Sequence, residues 1–346
     1  MNSDESRIAE CAQREYGIEV EAVKRIYMGL GTRNWLACAS GQRFFVKEYR
    51  RESDLAKEDA ALELCEYAYQ CGIPTPRVIR TASKKRICVC IDSSFALFEY
   101  VSGASSGGIL SLDQMAEAGR TLGEIHYHLK RFKTRWPSVT PNWVTFDKAE
   151  KEREIRRYLQ IIEQKERPDD FDRVTYEKLV KKMDMLGKVS RLLGDMPDLP
   201  TQVIHNDYSS PNLLFRGSSL VAVVDFQCPA PFLVPYEIGR IALTPENLES
   251  SQWMEKAVAL VGEYCRANEV DGTAIAFAPD ISLIQLIRSL YGVKQHYLGP
   301  LESQRELDQF WFRRVNAAEL IAENLERLKG KFEDTWHRVK SRRLGP

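Results

Sequence analysis

Polar residues interrupt the stretch VIHNDYSSPNLLFRGSSLVAVVDF, residues 203–226, and no other feature constrains the chain as tightly. The runs NLLF and LVAVVDF are β-prone and flank RGSS, so the stretch reads as a hairpin turning at Gly217. In an antiparallel pair the start of the first strand lies beside the end of the second. Asn212 stands at that start and Asp225 at that end, so folding brings an amide oxygen and a carboxylate together across 13 positions. Asp207, on the loop feeding the first strand, falls near the same place. Two hard oxygen donors and a neighbouring carboxylate suit Mg2+, which keeps waters and takes further ligands from phosphates. Taken singly, Asp207 and Asn212 are ordinary turn formers and Asp225 an ordinary strand end. The joint spacing, His205-x-Asp207-x4-Asn212 followed by Asp225-Phe226, is what points to a site.

The surroundings divide the chain in two. The first hundred residues alternate: a short helix closed by Gly17, three strands through VKEYR, a helix capped by Ser53 or Asp54 and ended by Gly72, then the strands RICVCID and SFALFEYV. A Gly/Ser segment, SGASSGG at 102–108, follows, and beyond it the texture is helical apart from the hairpin. With 346 residues the chain is long enough for two lobes. Its 49 basic and 49 acidic residues cancel, which excludes a net field directed at nucleic acid or an anionic membrane. The eight cysteines show neither scaffold density nor paired C-x-x-C spacing; Cys88 and Cys90 fall on one face of a strand and read as core thiols. The polar start of the chain carries no signal-like apolar core, and no run is read as reaching the ~20 apolar residues of a membrane helix. A cytoplasmic protein is expected, its oligomeric state unread.

On these residues the hairpin stretch resembles the catalytic and metal-binding loops of the protein-kinase-like small-molecule kinases. That superfamily includes aminoglycoside phosphotransferases, choline and ethanolamine kinases, type II homoserine kinases and methylthioribose kinase, together with spore-coat proteins of related sequence. The resemblance implies an α+β, bilobal protein-kinase-like fold. Residues 1–101 would form a small nucleotide-binding N-lobe with an antiparallel sheet and one main helix. Residues 102–346 would form a larger, mainly helical C-lobe holding the catalytic hairpin and the acceptor site. It implies that Asp207 is the catalytic base, that Asn212 and Asp225 hold the metal, and that His205 is the structural histidine of the loop.

Such a fold makes further demands. MGLGTRNW supplies Gly29, Gly31 and Thr32 for a turn over the phosphates. RFFVKEYR places Lys47 in an apolar run, where a charge needs a partner. The resemblance casts it as the lysine on the α and β phosphates, oriented by a glutamate of the next helix, Glu58 or, as runner-up, Glu63. ALFEYVSG resembles the hinge that meets adenine, with Glu99, Tyr100 and Val101 as its contact segment. His126 and His128 lie two apart on a helix and point to different faces, which rules out a shared metal and makes His126 a core histidine. Asn206 stands where the family usually has glycine, and asparagine tolerates the left-handed backbone that glycine would supply. Gln227 and Glu237 are further departures from acidic positions common in relatives.

The expected activity is Mg2+-dependent transfer of a γ-phosphoryl group from ATP or GTP to a hydroxyl of a small polar metabolite. A homoserine-like compound or amino alcohol is favoured over an aminoglycoside or sugar. The alternative is a non-catalytic binding or structural protein like the spore-coat relatives. A protein-serine/threonine kinase is weaker still, because no activation segment closing in A-P-E is present.

Overall fold

The computed structural model describes residues 3–27, 32–90, 93–105, 108–140, 146–299 and 304–343. In chain order it forms α1 (Ser3–Tyr16), β1 (Ala22–Ile26), β2 (Arg33–Ala39), β3 (Gln42–Tyr49), α2 (Leu55–Gln70), β4 (Val78–Ile79), β5 (Ile87–Val89), β6 (Ser94–Glu99) and β7 (Ala104–Ser105). There follow α3 (Leu112–Leu129), α4 (Lys148–Glu163), α5 (Asp170–Gly194), β8 (Thr201–Gln202), β9 (Leu213–Arg216), β10 (Ser219–Val223) and β11 (Phe232–Leu233). The chain ends in helices: α6 (Val234–Ala242), α7 (Pro245–Leu248), α8 (Trp253–Ala267), α9 (Gly272–Ala276), α10 (Ala278–Arg288), α11 (Val293–Leu298) and α12 (Gln304–Arg343). By contacts it divides into two compact units.

The first unit comprises Met1–Gly107, Glu124–Trp136 and Val203–Ala230. Its main sheet runs β1-β2-β3-β6-β4, with β5 also on β6, and every pairing is antiparallel. Alternation along β3 decides what each face carries. Phe44 and Val46 turn to a core shared with Ile8 and Cys11 of α1, Trp35 and Ala37 of β2, and Phe95 and Leu97 of β6. Lys47 therefore turns to the other face. On the core side Glu48, 4% exposed, accepts from Trp35 Nε1 at 2.9 Å and pairs with Arg7 at 2.8 Å, which satisfies a buried carboxylate. α2 begins at an Asp54 cap whose side chain accepts from Ala56 and Lys57 N–H, and Gly72, at φ +82°, follows its end. Cys88 and Cys90 share a face as expected, their sulfurs 3.4 Å apart, but the Cys90 sulfur also meets that of Cys11, 79 positions away.

The sequence drew one boundary near 102–108, whereas the contacts place 203–230 with the N-terminal sheet. The reason is local bonding. Val223 N–H donates to Pro74 O at 2.7 Å, and β7, inside the Gly/Ser segment, pairs with β9 to make a three-stranded β10-β9-β7 sheet.

The second unit, Gly108–Gly123, Pro137–Gln202 and Pro231–Pro346, is mainly helical, with one short β8–β11 pairing. Its spine is α12, which buries Leu307, Trp311, Val315, Ala318, Ile321, Leu325, Leu328, Phe332 and Val339 in a stripe at helical spacing. The segment 272–298 is long and apolar enough to cross a membrane by composition, contrary to the sequence expectation, but it folds as α9, α10 and α11 and 72% of its most apolar window is buried.

Candidate active site

The hairpin forms around Gly217, at φ +64°, with Leu213 opposite Val223 and Phe215 opposite Leu220. Asn212 falls one residue before β9, at the end of a 3-10 turn spanning Ser210–Asn212, and Asp225 lies two residues beyond β10. The adjacency read from the sequence survives, because Val224 N–H donates to Asn212 O at 3.0 Å. Asn212 Nδ2 donates to both Asp207 O and Asp207 Oδ2, each at 2.9 Å. Asp207, Asn212 and the residues leading into Asp225 are thus one bonded cluster.

His205 holds that cluster together from beneath. It is fully buried, and its Nδ1 accepts from Asp207 N–H at 3.2 Å. The proton then sits on Nε2, which donates to Val224 O at 3.0 Å. Phe226 packs on the ring at 4.3 Å and Tyr208 meets it edge-on at 5.8 Å. Gln227 N–H donates to His205 O, which fastens the loop a second time. Asn206, between histidine and aspartate, has φ +67°, so asparagine does take the left-handed conformation expected of it.

Lys47 reaches this cluster from β3. Its Nζ lies 2.6 Å from Asp225 Oδ1, across 178 positions of sequence. The sequence had assigned Lys47 to Glu58 or Glu63. Glu58 is the one in electrostatic reach: burial first raises its pKa, Lys47 lowers it, and Asp225 and Asp54 raise it further. Glu63 is exposed on α2 and its charge is felt instead by Arg80. No direct Lys47–Glu58 ion pair forms; the lysine is held by the nearer carboxylate. Tyr49, buried beside them with its ring 5.8 Å from Lys47 Nζ, has a pKa raised by burial and then by Glu58 and Asp225.

The donor chemistry fits a hard divalent cation. With Nδ2 engaged, Asn212 leaves its amide oxygen without a hydrogen bond among the described residues, and Asp225 uses only Oδ1 on Lys47. In the hinge-like segment, Glu99 N–H donates to Arg77 O and Tyr100 N–H to Arg43 O, while Val101 N–H has no hydrogen bond among the described residues. Of the three, Val101 has the donor to offer a ligand. Thr32 Oγ1 donates to Asn34 Oδ1 at 3.1 Å, and Gly29 and Gly31 lie outside the described residues. Two partnerships escaped sequence reasoning: Lys47–Asp225, and the buried Glu48 network. The second left a signal, since period-2 alternation turns Glu48 inward with Val46.

The profile of the phosphotransferase enzyme family matches residues 22–276, nearly three quarters of the chain, and the chain belongs to that family. It is an enzyme class of small-molecule kinases with a mixed α/β, kinase-like fold. Homoserine kinase of Zymomonas mobilis subsp. mobilis is 23% identical over 210 residues, a match spanning 59% of this chain and 59% of that relative. Among solved structures, spectinomycin phosphotransferase in complex with ADP and spectinomycin superposes with a TM-score of 0.70 at 15% identity, covering 93% of this chain and 99% of that one. A microcompartment-associated aminopropanol kinase gives a TM-score of 0.59 at 16% identity, covering 94% and 98%. At these identities the likeness is one of fold.

Proposed function

We propose that the protein transfers the γ-phosphoryl group of ATP or GTP to a hydroxyl of a small polar metabolite, a homoserine-like compound or amino alcohol in preference to an aminoglycoside or sugar. The observation that carries the reading is the convergence of Asp207, Asn212, Asp225 and Lys47 within one compact unit from positions up to 178 apart. Asp207 accepts the proton of the acceptor hydroxyl, and the Asn212 amide holds its carboxylate in place. Lys47 places positive charge against the nucleotide phosphates, with Glu58 as its counter-charge. Asn212 and Asp225 are the residues that would hold Mg2+, which supplies charge neutralisation on the phosphate oxygens. Val101 N–H, with Glu99 and Tyr100 alongside, is the hydrogen-bonding edge for the base, and Gly29, Gly31 and Thr32 cover the phosphates. Catalysis of this kind is mostly positioning and electrostatic stabilisation. The nucleotide complexes of the solved neighbours and the kinase names of the relatives support the nucleotide and the small acceptor.

The test is a coupled assay of ATP and GTP consumption with Mg2+ across amino acids, amino alcohols, sugars and aminoglycosides. Turnover with one acceptor class is expected, falling ~10²-fold or more in Asp207→Asn. Mg2+-dependent nucleotide binding without turnover would favour the non-catalytic alternative, and absence of nucleotide binding would sink the kinase reading.

A further inference from the structure

Three sulfurs converge at one edge of the first unit's sheet. Cys11 of α1 and Cys90, one residue beyond β5, are joined as a disulfide across 79 positions. Cys88 of β5 has its sulfur 3.4 Å from that of Cys90. Apart from the bridged pair, the cysteines are free thiols. One bridge among eight cysteines is no disulfide scaffold, so its surroundings decide its role.

Those surroundings are those of a reactive thiol. Arg14, one turn after Cys11 on α1, sets its Nη2 3.1 Å from Cys90 Sγ and 3.5 Å from Cys11 Sγ. Its Nε donates to Glu15 at 2.9 Å, which leaves Nη2 to the sulfurs. A guanidinium so placed stabilises whichever sulfur becomes a thiolate, and the thiolate is the form that attacks or leaves in thiol–disulfide exchange. Access is unequal. Cys11 and Cys88 are buried, at 4% and 2% exposure, whereas Cys90 keeps accessible surface. Cys88 stays protonated, because burial and then Glu15 push its thiol up to about 11 against the pull of Arg14. Its S–H donates to the Cys90 sulfur, since a bridged Cys90 has no proton of its own. A small molecule thus reaches Cys90 before the other two sulfurs. A cation and an S–H donor already face that sulfur, and Cys11 stands behind it.

We propose that Cys90, backed by Cys11, is a reversible thiol–disulfide exchange site for a small-molecule thiol and its disulfide. In the reducing direction a small thiolate attacks Cys90 Sγ, the bond to Cys11 breaks, and Cys11 leaves as a thiolate facing Arg14. A second small thiolate then attacks the small molecule's own sulfur in the mixed disulfide and releases the Cys90 thiolate. The protons of the two small thiols end on Cys11 and Cys90, and one small disulfide departs. Oxidation runs the same steps backwards. The exchange fastens and unfastens α1, which also holds β3 through Arg7 and Glu48, beside Lys47. Nothing in it depends on the phosphotransferase reading.

The experiment uses the full chain, reduced with dithiothreitol, freed of it and incubated with oxidised glutathione as the probe. Remaining thiols are alkylated under denaturing conditions and located by peptide mass spectrometry. The wild type should lose the Cys11 and Cys90 thiols together, keep that of Cys88, and regain both in excess reduced glutathione. Cys11→Ala should stop halfway, with glutathione held on Cys90. Arg14→Gln should slow the first step about tenfold, and Arg14→Lys should restore most of the rate. Circular dichroism checks folding, and the exposed Arg14 keeps the test decisive should Cys11→Ala fail to fold. A bridge that excess reduced glutathione cannot open would be a permanent staple and would overturn the proposal. So would a glutathione adduct at Cys38, Cys71 or Cys228 in place of Cys90, a Cys88–Cys90 bridge in place of the Cys11 one, or an unchanged rate in Arg14→Gln. None of those results touches the kinase reading, which stands or falls on Asp207→Asn.

Discussion

Asn206 and Asp225 both sit at left-handed backbone angles, φ +67° and +66°, on either side of the His205 ring that joins their loops. For a residue with a branched side chain that conformation costs about 1–2 kcal/mol. Asn206→Val should therefore lower stability by about that amount and disturb Asp207, whereas Asn206→Gly should be tolerated; urea denaturation with kcat on both variants checks this. His205→Phe keeps the ring volume but removes the acceptor for Asp207 N–H and the donor to Val224 O. A loss of about 1–3 kcal/mol, with kcat falling more than nucleotide affinity, is expected. At this scale much was legible. The left-handed asparagine and the Asp207–Asn212 proximity follow from turn chemistry and hairpin geometry. The partner of Lys47 was not legible, because nothing local to β3 reveals a carboxylate 178 positions away.

The elements followed their patterns where a period or a stop signal was strong. β1–β3, α2 and the hairpin form where alternation, an Asp54 cap and Gly217 put them. The two-residue strands β4, β7, β8 and β11 escaped notice because a pairing so short leaves no period to read. The choice between Glu58 and Glu63 needed the rotational setting of α2 against the sheet, which only packing supplies. Packing also governs α3 and α8. A Cβ on Gly119 would lie 2.1 Å from Leu260 O, so the two helices cross at backbone contact. Gly119→Ala should cost about 1–3 kcal/mol by overpacking, despite alanine's better helix propensity, as thermal unfolding would show.

For the whole molecule, the acid limb of stability turns on buried carboxylates. Asp172, 1% exposed, accepts from Lys165 at 2.7 Å, from Tyr297 Oη at 2.8 Å and from Asp169 N–H at 3.0 Å. Burial alone would push its pKa up, but those donors hold it below 3.8. A carboxylate depressed on folding contributes its full stability above the unfolded value and loses it as pH falls through the folded one. Asp172→Asn should thus cost about 3 kcal/mol at neutral pH, a difference that shrinks as the pH falls through and below the ordinary carboxylate range. Equilibrium unfolding of both proteins at several pH values measures it.

The contact between Lys47 and Asp225 also sets how two ligands influence each other. Under the proposed roles, the ammonium meant for phosphate and the carboxylate meant for metal neutralise one another while the protein is idle. A divalent cation arriving alone meets a carboxylate already neutralised by an ammonium on Oδ1, and a nucleotide arriving alone meets an ammonium already neutralised by that carboxylate. Each newcomer removes the other's obstacle, so the two should bind with positive heterotropic coupling, equal in both directions by linkage. Lys47→Met uncouples them: Mn2+ titrated without nucleotide, followed by the resonance of the free ion, should bind the variant more tightly than the wild type, and added ATP should no longer sharpen its affinity to the same degree.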